Sequence, residues 1–430
     1  MTTEVLQKTA PLTFGQMSVW RDVAGLPRER WQEANIFHRF DLPGVVSRRR
    51  LCEVLSRLQE KYESLRTVYD LTDPRQPRQR VLPSQPFEDV PVAYADSEDV
   101  KARFEALHRI PFDVRADRLF RPMAIATGEP TDDLDVENVT GVGFSLHHMA
   151  ADGWSIGLLV MDTIALLGLG GEPQPEQPSS LLEVAEEQRN SSFWQAKTKA
   201  TQRYFRSVYE TGVARLRDRD PALPAVQATI ESSRLHAATQ AVIAAHNVTL
   251  STLYTAVLAD SLSEFCTPGP VRLGLMTGNR FTEKWRHYVT SLNQLIPLLV
   301  DGDPTAELAG RLNAVQVAAM RAFRLGHYDV DQVTPAALGL DVAPADVKDL
   351  CMLNVMDFAP PELAEEPDAD GLPTVHWEPL YNNVSTSGYL RVYETTGGTV
   401  RLRLRLGGVP QETVRSIVLG MYRRVLAAAG

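Results

Sequence analysis

The chain is poor in cysteine and in positive charge, and it lacks a long apolar run. Its three cysteines, at positions 52, 266 and 351, are odd in number and show no zinc-site or disulfide spacing. Lysine and arginine total 44 against 54 aspartates and glutamates, which gives a net charge of −10. This balance argues against nucleic-acid partners and against anionic membrane surfaces, since both require a basic face.

Targeting and membrane signals are also missing. The opening MTTEVLQKTAPLTF has neither the basic start nor the apolar stretch of a signal peptide. The most apolar later segment, IGLLVMDTIALLGLGG, is interrupted by Asp162 and is too short to span a bilayer. Together with the cysteine usage, these features predict a soluble cytoplasmic protein with no bound metal.

The length and the pattern of elements favour two α/β lobes. A chain of 430 residues exceeds one ordinary core, and its 44% apolar and 23% charged composition is typical of globular proteins. Apolar residues at helical spacing predict helices in SRRRLCEVLSRLQEKYESLRTVY, TLSTLYTAVLADSLSEF and PQETVRSIVLGMYRRVLAAA. Strands are predicted in NIFHRFDL, VTGVGFSL, VRLGLMTG, CMLNVMDF and TVRLRLRLGG.

Three polar segments punctuate these elements. Residues 127–138 read as the tip of a hairpin between LFRPMAIA and VTGVGFSL, and residues 168–180 read as a linker-like loop. Residues 359–373 are predicted to form a long polar excursion. Helices interleaved with strands indicate a mixed α/β architecture, with a division between about 170 and 220.

Two histidines lie where a predicted strand ends and a helix begins. The stretch GFSLHHMAADGWSIGLLVMD carries His147 and His148, then Asp152 and Gly153 one short loop later. In α/β folds the carboxyl ends of strands tend to hold the chemistry. Asp152 alone would fit an ordinary helix N-cap, and one histidine alone would fit a buried core residue. Burying two histidines beside an aspartate is costly, so the combination favours function.

These residue types suit acyl transfer by direct attack. An imidazole with a pKa near ~6.5 can accept a proton from an attacking amine or alcohol. Backbone N–H groups around Gly153 would stabilise an oxyanion, and a carboxylate would hold the loop in place. No serine or cysteine stands in a nucleophile-elbow setting, which argues against a covalent acyl-enzyme.

The motif HHMAADGWS resembles the His-His-x-x-x-Asp-Gly signature of condensation domains of non-ribosomal peptide synthetases, which belong to the chloramphenicol-acetyltransferase-like superfamily. The resemblance runs along nearly the whole chain. The segments that carry it are PLTFGQMSVW, KYESLRTVY, PFDV, MTGNRFTE, LNQLIPLLVD and CMLNVMDF. Of these, KYESLRTVY resembles the family motif Arg-His-Glu-x-Leu-Arg-Thr-x-Phe. Ser18 stands where the family has arginine, Tyr62 stands where it has histidine, and the family's Tyr-x-Asp-x-x-x-Trp motif is absent.

The resemblance implies a fold and a site. The fold would be two acetyltransferase-like α/β sandwich lobes, residues 1–175 and 176–430, arranged as a V-shaped pseudo-dimer. His148, aided by His147 and Gly153, would be catalytic at the base of a tunnel between the lobes. Asp152 would pair with Arg280 as structural support. The candidate substrate-channel residues are Trp154, Ser155 and Asn354, although Trp154 also fits a packing role and Ser155 a helix cap.

The same resemblance implies the activity and its partners. No adenylation segment or Gly-Gly-x-Ser carrier motif is present, which predicts a stand-alone condensation enzyme of natural-product biosynthesis. A peptidyl or acyl carrier protein would deliver the thioester in trans on its phosphopantetheine arm, with no bound cofactor. The acceptor would be a free or carrier-bound amine or alcohol. The alternatives are an acyl-CoA-dependent acyltransferase, an epimerisation domain lacking its usual Glu-Gly-His-Gly-Arg segment, and a non-catalytic recruitment domain.

Overall fold

The computed structural model describes residues 8–95, 99–302, 307–343, 347–356, 371–378, 380 and 388–430. Contacts divide the chain into two compact units. The first contains Met1–Ala196 together with Gly278–Asn293, and the second contains Lys197–Thr277 together with Gln294–Gly430. The sequence predicts lobes of residues 1–175 and 176–430. The contacts group residues 176–196 and 278–293 with the first unit.

The first unit is mixed α/β. Its strands are β1 (Thr9–Pro11), β2 (Asn35–Ser47), β3 (Thr67–Asp70), β4 (Arg78–Val81), β5 (Val92–Tyr94), β6 (Phe120–Thr127) and β7 (Asn138–His147). Its helices are α1 (Phe14–Ala24), α2 (Arg48–Lys61), α3 (Asp99–Arg109), α4 (Gly153–Leu167) and α5 (Leu181–Asn190), with 3-10 turns at Arg28–Ala34 and Glu63–Arg66. Helix α6 (Ser192–Glu210) begins before the division at residue 196 and ends after it.

Strand β7 ends at His147, immediately before His148, and lies inside a sheet. Within the described residues, the first unit contains a three-stranded sheet in the order β1-β4-β3 and a four-stranded sheet in the order β2-β7-β6-β5. Strand β7 pairs antiparallel with both β2 and β6, so nearly all of its residues are buried. Strands β6 and β7 flank residues 128–137, where the sequence predicts a hairpin tip.

The second unit is built on a larger sheet. Its strands are β8 (Val226–Ser232), β9 (Val271–Thr277), β10 (Gln294–Val300), β11 (Cys351–Met356), β12 (His376–Glu378), β13 (Gly388–Glu394) and β14 (Val400–Leu406). In the part of the chain that the structure describes, they form one sheet in the order β10-β9-β11-β13-β14-β8-β12.

Helices cover the core of the second unit. They are α7 (Ser233–His246), α8 (Leu250–Ser263), α10 (Leu308–Phe323) and α11 (Gln411–Ala428), with a 3-10 turn at Val330–Val333, whereas the short α9 (Glu283–Arg286) belongs to the first unit. Helices α8 and α11 bury the apolar faces that their sequences predict, including Leu253, Val257, Ile417 and Val418. The five predicted strands are present, and most of the predicted polar excursion, 359–370, lies outside the described residues.

No single helix among the described residues is both long enough and apolar enough to cross a bilayer. Helices α7 and α8 meet the length and composition test only as a pair, and the pair bends by 107°. The three cysteines are free thiols in buried positions.

A buried carboxylate fixes helix α4 at its middle. Oδ2 of Asp162 accepts hydrogen bonds from Lys61 Nζ at 2.7 Å and from the Tyr62 hydroxyl at 2.6 Å. Its Oδ1 accepts the backbone N–H of Gln174 from the loop that follows α4. The Asp162 side chain is 0% exposed and that of Lys61 is 10% exposed, so the ion pair is held away from water. Helix α4 is therefore tied to the end of α2 and to its own C-terminal loop.

We expect Asp162→Asn to lower the free energy of unfolding by about 3–5 kcal/mol, because it leaves the buried Lys61 ammonium without its counter-charge. Urea denaturation of the full chain measures this effect. The matched control is Asp135→Asn, whose pair with Arg49 is exposed and should leave the melting temperature nearly unchanged. Equal small effects of the two substitutions would contradict the assignment.

Candidate active site

The loop between β7 and α4 is a tight turn that places two histidines side by side. His147 is the last residue of β7 and lies opposite Asn35 of β2. The backbone N–H of His148 donates to the Ala34 carbonyl at 2.8 Å, and the N–H of Ala150 donates to the His147 carbonyl at 2.8 Å. These bonds end the strand and turn the chain toward Asp152, where α4 begins.

His147 faces the interior and remains neutral. Its side chain is 1% exposed and contacts the Phe112 ring edge-on. The ring Nδ1 accepts the backbone N–H of Met149 at 3.2 Å, which places the imidazole proton on Nε2. Burial, together with the adjacent charge of His148, lowers the pKa of His147 to about 3. The His147 ring therefore stabilises the loop by accepting the backbone N–H of Met149.

His148 differs from its neighbour because it keeps contact with solvent. It is partly exposed, whereas the residues on either side of it are buried. Its ring Nδ1 is buried and has no hydrogen-bond partner among the described residues. An imidazole in this setting can take up or deliver a proton just beyond the buried end of β7. Of the two histidines, His148 is the one in contact with solvent.

Asp152 connects the loop to a distant segment through both carboxylate oxygens. Arg280 donates from NH1 to Oδ2 at 2.7 Å and from NH2 to Oδ1 at 2.9 Å. Oδ2 also accepts the backbone N–H groups of Leu292 and Asn293. Burial would raise the pKa of Asp152, but the charge and hydrogen bonds of Arg280, with the backbone donors, hold it below its usual value. The pairing that the resemblance implies is present as a bidentate buried contact.

The same carboxylate also caps helix α4. The Ser155 backbone N–H and hydroxyl both lie within hydrogen-bond distance of Asp152 Oδ1, at 3.0 Å and 2.9 Å. The Ser155 Oγ further accepts from Arg280 and from the backbone N–H of Thr290. Capping and ion pairing, which the sequence presents as alternatives for Asp152, are therefore combined in one residue.

Several further contacts hold Gly278–Asn293 to the rest of the first unit. Trp154 Nε1 donates to the Arg286 carbonyl at 3.0 Å, and the Tyr288 hydroxyl lies 2.8 Å from Ser179 Oγ. A Cβ atom added to Gly15 of α1 would lie 2.1 Å from the Ser291 carbonyl oxygen. Only glycine permits this approach of α1 to the segment.

The other predicted site residues are more dispersed. Gly153 is exposed at the first position of α4, with no atom within 4 Å of an added Cβ. Trp154 is 43% exposed, whereas the Ser155 side chain is buried and bonded within the Asp152 network. Asn354 is half-buried in β11, and its amide donates to the Tyr389 hydroxyl. Asn354 lies in the second unit and the others in the first.

Two polar residues next to the histidine loop, Gln16 and Tyr69, are not predicted by the sequence as part of the site. The Tyr69 hydroxyl lies 3.4 Å from the Met149 carbonyl oxygen, and Gln16 Nε2 donates to that hydroxyl at 3.2 Å. Gln16 lies in the segment PLTFGQMSVW, and no local pattern indicates that it lies near the histidines. Among the described residues, no group of three or more His, Cys, Asp or Glu could hold a metal ion.

Arg280→Ala should lower the free energy of unfolding by about 3–5 kcal/mol, because the carboxylate of Asp152 would remain buried without its cation. Arg280→Lys should recover little of this loss, since an ammonium cannot reproduce the bidentate contact. Chemical denaturation provides the measurement. Arg286→Ala, which removes an exposed cation of the same segment, serves as the control. A loss for Arg280→Ala no larger than for the control would refute the structural role.

The buried neutral imidazole of His147 predicts a pH-dependent stability. The folded pKa of about 3 lies below the unfolded value near ~6.5, so only the unfolded chain gains this proton on acidification. Stability from this group is complete above about pH 6.5 and falls as the pH drops toward 3, by up to about 1.4 kcal/mol per pH unit. His147→Asn keeps an acceptor for Met149 and should flatten the curve of unfolding free energy against pH. Parallel curves for the two proteins would contradict this.

Comparisons with known proteins identify the fold and the family. A family model of the condensation domain matches residues 7–337. Chondramide synthase cmdD of Chondromyces crocatus is 30% identical over 161 residues, which are 36% of this chain and 4% of that protein. The chain thus spans a small fraction of the length of this curated relative.

Solved structures resemble almost the entire chain at low identity. The condensation domain of Monacolin K polyketide synthase MokA has a TM-score of 0.76 at 16% identity and covers 98% of this chain and 97% of its own. The starter condensation domain of rhizomide synthetase RzmA has a TM-score of 0.72 at 19% identity, with coverages of 98% and 94%. SgcC5 from Streptomyces globisporus has a TM-score of 0.71 at 16% identity, with coverages of 97% and 98%.

These likenesses confirm the mixed α/β fold predicted from the sequence. The histidine loop, the capped α4 and the matching family model agree with one another, and the model extends over most of the 430 residues. The protein belongs to the condensation domain family.

Proposed function

We propose that this chain catalyses acyl transfer from a thioester to an amine or alcohol, with His148 as the catalytic residue. The donor would be an acyl or aminoacyl group on the phosphopantetheine arm of a separate carrier protein, and the product an amide or ester. Family membership supports acyl transfer in general terms. The observation that carries the assignment is the partly exposed His148 on a loop whose other residues are buried, with the side chains of His147 and Asp152 hydrogen-bonded.

The chemistry follows from the properties of an imidazole. The nucleophilic nitrogen or oxygen attacks the thioester carbonyl, and its proton passes to the His148 ring as the new bond forms. The tetrahedral intermediate collapses by breaking the C–S bond, and the proton is delivered to the departing thiolate. Every step needs only one proton acceptor, so the proposal involves no metal and no covalent enzyme intermediate.

The start of α4 would assist by stabilising the oxyanion. Asp152 uses its carboxylate to cap Ser155, and its charge is balanced by Arg280, so the helix terminus carries no isolated negative charge. In a helix the first N–H groups have no helical acceptor, and Gly153 and Trp154, the first two residues of this one, are exposed. Such donors favour an oxyanion when they are fixed in advance.

Two other functions remain to be tested against this one. A coenzyme A thioester would replace the carrier-bound donor in an acyl-CoA-dependent enzyme, and the rhizomide starter domain was solved with C8-CoA. A non-catalytic docking role is the second, since the teicoplanin X-domain, with a TM-score of 0.70, was solved in complex with OxyB. The presence of both motif histidines favours catalysis over docking.

The experiment uses intact-protein mass spectrometry on acyl-loaded carrier proteins mixed with the full chain and a panel of amines and alcohols. Loss of the acyl group with formation of the acyl-acceptor adduct supports the proposal. Turnover of acyl-CoA without any carrier favours the second donor class. Carrier binding without turnover favours docking and refutes the catalytic role.

Replacing His148 by Ala should lower product formation by roughly 10²–10⁴-fold, the contribution typical of a general base. Because His148 is partly exposed, the melting temperature should change little. His236→Ala, a surface histidine of the second unit that pairs with Glu394, is the matched control and should retain activity. Full activity in the His148→Ala variant would overturn the assignment of chemistry to this loop.

A further inference from the structure

Met149, the residue that follows His148, is contacted by side chains at both of its backbone polar groups. The backbone N–H of Met149 donates to the ring Nδ1 of His147 at 3.2 Å. The carbonyl oxygen of Met149 lies 3.4 Å from the hydroxyl of Tyr69, a residue of strand β3. The backbone around His148 is therefore fixed on both sides, by its own N–H bond to Ala34 and by the two bonded groups of Met149.

The direction of the Tyr69 hydrogen bond is determined by its surroundings. Gln16 Nε2 donates to the Tyr69 oxygen at 3.2 Å and to Gln79 Oε1 at 3.1 Å. A tyrosine hydroxyl has a single proton, so once Gln16 fills an acceptor position that proton must seek an acceptor elsewhere. Among the described residues the Met149 carbonyl is the acceptor the structure offers.

The Tyr69 hydroxyl is buried, so it keeps the Met149 carbonyl as its acceptor even though the contact is long. The exposed fraction is 1% for Tyr69 and Gln79, and 0% for Gln16, so water does not compete for these groups. Gln16 is itself fixed, because it forms a capping box with Thr13 at the start of α1. A buried donor without a partner costs more than a weak bond gains, so the hydroxyl stays directed at Met149.

The packing of β3 requires the ring of Tyr69 but not its oxygen, because a phenylalanine at this position would fill nearly the same space. What the oxygen adds is the contact to the histidine loop.

We propose that Tyr69 is a positioning residue whose hydroxyl, through the Met149 carbonyl, holds the histidine loop and thereby orients His148. The inference deepens the proposed function, because it assumes that His148 is the catalytic residue. Tyr69 touches no substrate, and its effect passes through the backbone. A neutral hydrogen bond of this kind corresponds to a factor of about 2–10 in local opening or in rate.

The test compares Tyr69→Phe with the wild-type chain by hydrogen–deuterium exchange and by kinetics. Exchange is followed by mass spectrometry on the peptide that contains residues 144–152. Turnover is followed on an acyl-loaded carrier protein with a saturating amine acceptor. The matched control is Tyr254→Phe, which deletes another fully buried hydroxyl, bonded to Thr239 in the second unit.

We expect Tyr69→Phe to speed exchange in this peptide and to lower kcat, each by about 2–10-fold, with KM nearly unchanged. Tyr254→Phe should change neither the loop exchange nor kcat, even if it lowers the melting temperature by as much as Tyr69→Phe does. A Tyr69→Phe variant with wild-type loop exchange, or with faster exchange and wild-type kcat, overturns the proposal. If the wild-type chain shows no turnover with any donor, the proposed function fails, while the exchange comparison still decides whether Tyr69 holds the loop.

Discussion

The carboxylate of Asp152 is the interaction on which the rest of the site depends. A buried charge is tolerated only when its hydrogen-bonding capacity is filled, and Asp152 fills it with a guanidinium, a hydroxyl and three backbone amides. These partners come from α4 itself and from residues 280–293. One side chain thus caps the helix, ends the histidine loop and ties down a segment more than a hundred residues away in sequence.

The two adjacent histidines illustrate how burial separates chemically identical groups. His147 and His148 differ by one position along the turn, yet one ring lies in the interior and the other reaches solvent. The buried ring keeps a fixed tautomer and acts on the backbone of Met149. The partly exposed ring of His148 is the one that we propose as the proton acceptor. Adjacent positions at the end of a strand point in opposite directions, so one turn buries one imidazole and leaves its neighbour partly exposed.

Much of this arrangement could be predicted from the sequence, because it depends on local patterns. The end of β7, the start of α4 and the cap at Asp152 follow from apolar periodicity and from the residue types at the junction. The partner of Asp152 required a family resemblance, since nothing near Arg280 in sequence points to it. The contacts of Gln16 and Tyr69 could not be predicted, because buried polar residues show no periodicity and find their partners through the fold.

The placement of residues 278–293 has a consequence for biosynthesis. During translation the first 196 residues emerge well before Arg280 and the amides of Leu292 and Asn293. Until those groups leave the ribosome, the Asp152 carboxylate at the start of α4 must either stay hydrated or lack its hydrogen-bond partners in an incompletely folded interior. The first unit therefore cannot complete its folding in order from the N-terminus. A fragment that ends at residue 196 would lack the arginine that neutralises the Asp152 carboxylate.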